Sequence, residues 1–249
     1  MCADAFLFWK RRSPYAKKSH FYSSFSRGER ALWCTSLFLI LAAFLLFDRE
    51  NYLTLCASIV GVTSLIFCAK GNPAGQLLML IFSVLYGIIS FTYAYYGEML
   101  TYLGMTAPMA LFSLISWCRN PFEGKKSEVA VNQLCKTELL LLPVLTILVT
   151  LLFALLLHAL HTANLVPSTI SVATSFLAVY LTFRRSAFFA LAYAANDLVL
   201  IVLWSMAALE DRSYLSVLVC FAAFLINDLY GFFNWRRMKK RQAASARPV

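Results

Sequence analysis

Charge is the scarce ingredient of this 249-residue chain. Only 14% of its residues are Asp, Glu, Lys or Arg, against 61% that are hydrophobic. An ordinary soluble domain carries about a quarter charged residues, so a surface built to face water is excluded. The short signatures of enzyme chemistry are missing too. There is no H-E-x-x-H, no G-x-S-x-G and no C-x-x-C pair. The seven cysteines (Cys2, Cys34, Cys56, Cys68, Cys118, Cys135 and Cys220) are scattered among apolar neighbours and read as small packing residues. His158 and His161 have no carboxylate nearby in sequence and read as solvated or packed, not as metal ligands. Gly124-Lys125-Lys126-Ser127 imitates the end of a phosphate loop. Arg119 stands where its first glycine belongs and Lys126 where its hydroxyl belongs, so no ATP hydrolysis is expected. No cofactor or metal is implied. The first 30 residues lack an apolar stretch before a small-residue cleavage site, so no signal peptide is expected.

What the chain has instead is apolar length. Eight segments, at residues 31–47, 52–69, 74–93, 99–118, 139–163, 166–183, 187–209 and 214–235, are each about long enough to cross ~30 Å of hydrocarbon at 1.5 Å per residue. They leave no room for a soluble domain. The expected fold class is an all-α integral membrane protein of eight transmembrane helices.

Charge then orients it. Twenty of the 22 Lys and Arg residues lie on one side of the alternating spans. They fall in the arm before residue 31, at Lys70, in the loop from Arg119 to Lys136, at Arg184-Arg185, and in the tail from Arg236. The other side keeps Arg49 and Arg212, each beside acids. The positive-inside rule makes both termini cytoplasmic. The net charge of +10 then signals topology and attraction to anionic lipid, not nucleic-acid binding. A segment at 20–26 is expected to lie flat on the inner surface.

The spans divide as one, three, one, three. Two triplets end alike: Leu111-Phe112-Ser113-Leu114-Ile115-Ser116-Trp117-Cys118-Arg119, and Leu229-Tyr230-Gly231-Phe232-Phe233-Asn234-Trp235-Arg236-Arg237. The domain reading is a basic arm (1–30) and one transmembrane domain (31–249). The latter holds a first repeat (51–118), a linker helix (138–163), a second repeat (166–235) and a basic tail (236–249). A single linking span gives the repeats the same orientation, with a substrate path between them near the midplane. Trp117 and Trp235 lie near the inner boundary, where interfacial anchoring is the expectation.

Polar residues inside spans narrow the function. Asn196-Asp197 and Asn227-Asp228 put acids at membrane depth, where ionisable groups face a cavity, a partner or a substrate. Helical spacing lines up Tyr193, Asp197 and Trp204 on the seventh span. It lines up Asn227, Gly231 and Asn234 on the eighth, with Asp228 and Trp235 beside them. Ser168, Ser171, Ser175 and Thr182 share a stripe of the sixth, and Gln76, Ser83, Tyr86, Gly87 and Ser90 a face of the third. Any one serine can instead bond the preceding carbonyl, and Gly87 and Gly231 can be packing notches.

The stretch from Ser168 through Tyr193-Ala-Ala-Asn-Asp197, followed by Asn227-Asp-Leu-Tyr-Gly-Phe-Phe-Asn-Trp-Arg-Arg237, resembles the PnuC family of bacterial nicotinamide riboside transporters. The resemblance covers the second to eighth spans. It implies a 3+1+3 parallel-repeat bundle, SWEET-like in outline, after one N-terminal helix. It implies uptake by facilitated diffusion and trapping by a cytoplasmic kinase. It carries the family's asparagine to Asn196 and its closing pattern to Asn227, Tyr230 and Trp235. Ala107-Pro108-Met109 departs from the family's fourth span.

The residues suit such a ligand. A cationic pyridinium ring favours aromatic faces and nearby carboxylates, and amides bond hydroxyls or a carboxamide. The candidate site is Gln76, Tyr86, Ser175, Tyr193, Asn196, Asp197, Trp204, Asn227, Asp228 and Tyr230. No Lys or Arg falls at the midplane to hold a phosphate, although Arg184 and Arg185 can reach inward. The expected partners are nicotinamide riboside or a similar vitamin and the bilayer of a bacterial cell membrane. Homo-oligomers stay open. The rivals are a carrier of thiamine or riboflavin, proton-coupled uptake through Asp197 or Asp228, a lipid-headgroup enzyme and a structural subunit.

Overall fold

The computed structural model describes residues 25–93, 95–162 and 164–245. Cys2, most of the basic arm (Lys10, Arg11, Arg12, Lys17 and Lys18), residues 20–24 of the surface-lying segment, Ala163 and Arg247 lie outside the described residues. Eight helices are each long and apolar enough to span a bilayer. They are α1 (Arg27–Phe47), α2 (Tyr52–Ala69), α3 (Ala74–Thr92), α4 (Tyr96–Arg119), α5 (Lys136–Ala159), α6 (Leu165–Phe183), α7 (Phe189–Glu210) and α8 (Leu215–Ser245).

Differences from the expected bounds have local causes. Helix α1 starts four residues early because Ser26 and Glu29 form a reciprocal cap, with Glu29 N donating to Ser26 Oγ (3.2 Å) and Ser26 N to Glu29 Oε2 (2.7 Å). Helix α5 starts early for the same reason, with Cys135 and Glu138 in those roles. Helix α4 starts at Tyr96, three residues before the expected span, and brings Glu98 inside. Its middle, Thr101–Thr106, is wound as a π-helix. Pro108, just beyond, has no N–H to offer the carbonyl one turn back, which favours such a wide turn.

Helix α8 runs ten residues past Trp235, through a stretch of strong helix formers. It props up a small two-stranded antiparallel hairpin, β1 (Pro121–Phe122) and β2 (Lys125–Val129), where an irregular loop was expected. The latch is Gln242. Its Oε1 accepts from Val131 N (2.8 Å), and its Nε2 donates to Glu128 Oε1 (2.9 Å) and Val129 O (3.0 Å). Arg241 pairs with Glu128 beside it. Gln242→Ala leaves these buried groups unpaired, at about 1–3 kcal/mol for the group left without a partner. Amide hydrogen exchange at residues 121–131 is expected to speed up at least about tenfold while exchange in α2 and α7 is unchanged.

Six helices close a ring in the order α2, α3, α4, α6, α7, α8 and back to α2. Helix α5 lies outside it against α6, and α1 outside it against α8 and α2. Leu140, Val144, Ile147, Leu148, Leu151 and Leu155 of α5 are exposed, as lipid-facing side chains must be. The face where α2, α4, α6 and α8 leave the ring is the basic face. The opposite face carries Asp48, Glu50, Glu210 and Asp211 and is the acidic face. At the acidic face, burial raises the Asp48 carboxyl above its ordinary range, and the Ser216 hydroxyl at 3.5 Å only partly offsets that.

Trp117 and Trp235 are not anchors at a lipid surface. Both are fully buried, with ring centroids 5.4 Å apart. Trp117 Nε1 donates to Thr182 O at the end of α6 (3.0 Å), and Trp235 Nε1 to Cys68 O at the end of α2 (2.8 Å). Ser116 Oγ donates to Phe183 O (3.1 Å) and Asn234 Nδ2 to Ala69 O (2.8 Å), the residues preceding each tryptophan bonding the next carbonyl along. Each helix end has four carbonyls without helical partners, and these side chains satisfy two at each.

Candidate substrate site

Four buried residues lie midway along two helices of the ring: Asn196 and Asp197 of α7, and Asn227 and Asp228 of α8. The two aspartates face each other across the helix pair, close enough for their carboxyls to interact directly. Asp197 Oδ2 is buried and unpaired. Asn227 Nδ2 donates to Ser36 Oγ of α1 (2.9 Å) and to Ala223 O (2.8 Å), while its Oδ1 accepts nothing. Asn227 is thus turned toward α1, outside the ring, and α1 fixes its orientation. The contact joins residues 191 apart, so no local signal in the sequence reveals it.

Asn196 is spoken for on one side. Its Oδ1 accepts from Ser171 Oγ (3.3 Å), Thr174 Oγ1 (2.8 Å) and Ser175 Oγ (3.0 Å), clamping α7 to α6. Its Nδ2 donates to nothing among the described residues. Ser83 and Thr182 instead bond carbonyls one turn back, at 2.8 and 2.7 Å, and serve packing. Gly87 is a packing notch, since a Cβ there would meet Leu103 Cγ at 2.5 Å.

Tyrosines surround the acids. Tyr193 lies near Asp197, Asp228 and Cys68. Tyr102 lies near Asp197, Tyr86, Tyr193 and Glu98. Gln76 Nε2 reaches Cys68 Sγ (3.2 Å) at the basic end. Toward the acidic face Trp204 Nε1 donates to Tyr86 Oη (2.7 Å), and Tyr86 meets Tyr102 edge-on with centroids 4.4 Å apart. Tyr95 packs on Trp204 at 4.9 Å. Of the candidates, Gln76, Tyr86, Ser175, Tyr193, Asn196, Asp197, Trp204 and Asp228 thus lie on this interior, while Asn227 is turned toward α1. Tyr230 sits apart: it is half-buried and bonds Glu29 Oε1 (3.2 Å), near the Glu29–Lys70 ion pair of the basic face.

Two interior residues were missed from sequence, Tyr102 and Glu98. Glu98 is completely buried and neither carboxylate oxygen has a partner. Together with Asp197 and Asp228 it makes three buried carboxyls in the ring. No Lys or Arg is buried among the described residues, and no cluster there could hold a metal ion. The six free cysteines among them form no disulfide.

An apolar-coated ring of spanning helices around a tyrosine-lined, acid-bearing interior defines a multi-pass membrane transporter for a small polar solute. Residues 51–237 match the model of the family described as "Nicotinamide mononucleotide transporter". That is most of the chain, and the chain belongs to this family, the PnuC transporters. It is 26% identical over 242 residues to the nicotinamide riboside transporter PnuC of Neisseria mucosa, covering 95% of this chain and 89% of that one. It is 25% identical over 198 residues to the nicotinamide riboside transporter PnuC of Haemophilus influenzae, covering 77% and 82%. The crystal structure of a vitamin B3 transporter PnuC superposes with a TM-score of 0.77 at 23% identity, covering 88% of this chain and 94% of that one. The fold is shared, and the protein is a transporter, not an enzyme.

Proposed function

We propose that the protein carries nicotinamide riboside into a bacterial cell by facilitated diffusion, with both termini cytoplasmic and a cytoplasmic kinase trapping the cargo. The observation that carries this reading is an interior with three buried carboxyls, Asp197 Oδ2 and both Glu98 oxygens among them without donors, and no buried base. A buried acceptor without a donor costs about 1–3 kcal/mol. Such a cost is recovered when a ligand supplies donors. A riboside supplies ribose hydroxyls and a carboxamide N–H₂ to Asp197 Oδ2 and the neighbouring polar groups. Its cationic ring suits the faces of Tyr86, Tyr102 and Tyr193. The names of the two bacterial relatives point the same way.

A phosphate adds about two negative charges that this interior has nothing to pair. Phosphorylation after entry therefore removes the product from the path, and a downhill gradient alone drives uptake. The cross-bonded tryptophans Trp117 and Trp235, the similar span ends they close and the six-helix ring support reading the fold as two parallel triplets around a central axis, with α5 linking them and α1 added in front.

The family's description names the mononucleotide, and one observation favours that cargo. Arg185, in the turn after α6, has Nε and Nη1 buried without an acceptor, whereas Arg184 is paired with Glu138 at 2.6 Å. A phosphate would be held there. Flux into proteoliposomes containing the purified protein separates the two. Nicotinamide riboside entering faster than its mononucleotide is expected, and the reverse order transfers the assignment to the mononucleotide. Competition by thiamine or riboflavin in the same assay tests the other vitamins, and a flux insensitive to an imposed pH gradient is expected.

Asn196→Ala frees three hydroxyls of α6 and removes an amide from the site. It is expected to weaken riboside binding about tenfold or more by calorimetry. Unchanged affinity removes Asn196 from the binding role and leaves it as a clamp between helices.

A further inference from the structure

Glu98 is the most deeply buried acid in the described chain, and nothing in the bundle neutralises it. It sits in the first turn of α4, 0% exposed, with Oε1 and Oε2 both unpaired. Its surroundings are polar and equally unsatisfied. Thr101 Oγ1, one turn on, is buried without a partner. Ser168 of α6 packs against the backbone of Gly97, where a Cβ would meet Ser168 Cβ at 3.1 Å, and Ser168 Oγ is unpaired as well. Ser171, also near Glu98, gives its hydroxyl to Asn196 Oδ1. On the other side stand rings: Tyr86, Tyr95 and Tyr102 all lie near enough to feel the Glu98 charge.

Four unsatisfied polar atoms about one buried helical turn, Glu98 Oε1 and Oε2, Thr101 Oγ1 and Ser168 Oγ, are rare in native proteins, where nearly all such atoms find partners. A carboxylate at membrane depth is costlier still. Helical packing alone explains none of this, since Gln or Met fills the same volume. Aromatic faces beside a lone carboxylate are the arrangement that recognises an organic cation.

We propose that Glu98 is the counter-ion of the substrate's cationic ring. It sits at the acidic-face end of the path between Tyr86, Tyr95 and Tyr102, while Asp197 takes the sugar deeper in. This rests on the riboside reading above. It adds the residue that makes the site prefer a charged ring over an uncharged one of the same shape.

Calorimetry on purified wild type and Glu98→Gln tests it with two ligands, nicotinamide riboside and its dihydro form, whose ring is uncharged. Wild type is expected to prefer the charged ring. Glu98→Gln is expected to lose about tenfold or more in affinity for nicotinamide riboside while its affinity for the dihydro form stays within about twofold. Equal losses for both ligands, or no loss for either, overturn the proposal and leave the riboside reading standing. Wild type that binds neither ligand overturns both. If Glu98→Gln yields no folded protein, Glu98→Asp decides: the charge is kept, so the preference for the charged ring is expected to persist. A folded Glu98→Asp that binds both ligands equally overturns the assignment.

Discussion

Asp197→Asn is expected to abolish measurable riboside uptake while leaving the bundle folded. Asp197 Oδ2 is the buried acceptor at the centre of the ring with no protein donor. A hydrogen bond to a charged group is worth about 1.5–3 kcal/mol, which is roughly a tenfold to 150-fold change in affinity. The cost to folding is small because asparagine has the same shape, and the change separates two acids that face each other across α7 and α8. Calorimetry and proteoliposome flux read the loss, and a melting curve reads the fold. Wild-type affinity in a folded Asp197→Asn protein would remove the acid pair from the binding site.

Gly75→Ala is the largest expected blow to stability. Gly75 lies at the start of α3, where the chain turns back from α2. A Cβ there would sit 2.6 Å from Cys68 N, 2.6 Å from Cys68 Sγ and 3.0 Å from Ser64 O. Two of those atoms are backbone and cannot swing aside. The Ser64 hydroxyl also bonds Gly75 O at 2.9 Å, so the two helices are held at that spacing. Forcing one methyl into such a contact costs about 1–3 kcal/mol or more, and about 2–4 °C of melting temperature follows per kcal/mol in a chain of this size. The damage reaches the site because Cys68 receives Gln76 on its sulfur and Trp235 on its carbonyl. Gly104→Ala is the matched control, since a Cβ there meets nothing within 4 Å, and its melting temperature is expected to stay at the wild-type value.

The eight spans were legible because length and apolarity are properties of a continuous stretch. Their ends were less so, because a cap is a contact between side chain and backbone. Ser26 with Glu29, and Cys135 with Glu138, moved two starts outward. Glu98 was hidden by a start set too late: with α4 begun at Met99, that acid fell in a connection, and no side-chain cap marks the start at Tyr96. Tyr102 was hidden differently. It lies in the π-helical stretch, where the 3.6-residue spacing used to sort faces does not apply.

The aspartate pair and Asn196 stood out because acids and amides are conspicuous among leucines. What Asn196 does was not legible, since its oxygen is saturated by three hydroxyls of a different helix. Trp117 and Trp235 looked like anchors by their distance from the span ends. Only the packing of the end of α4 onto that of α8 places both inside, bonded to carbonyls of α6 and α2. The hairpin after α4 was invisible because Lys125-Lys126-Ser127-Glu128 lacks apolar alternation. Gln242, far along the chain, holds it.

A structure of the protein with nicotinamide riboside bound tests the central claim most directly. The account predicts the ligand inside the ring of α2, α3, α4, α6, α7 and α8, with a ribose or carboxamide donor on Asp197 Oδ2 and the ring among the tyrosines. A ligand held instead at Arg185, or in the pocket of about 290 Å³ lined by Glu29, Lys70 and Arg237 at the basic face, would contradict it.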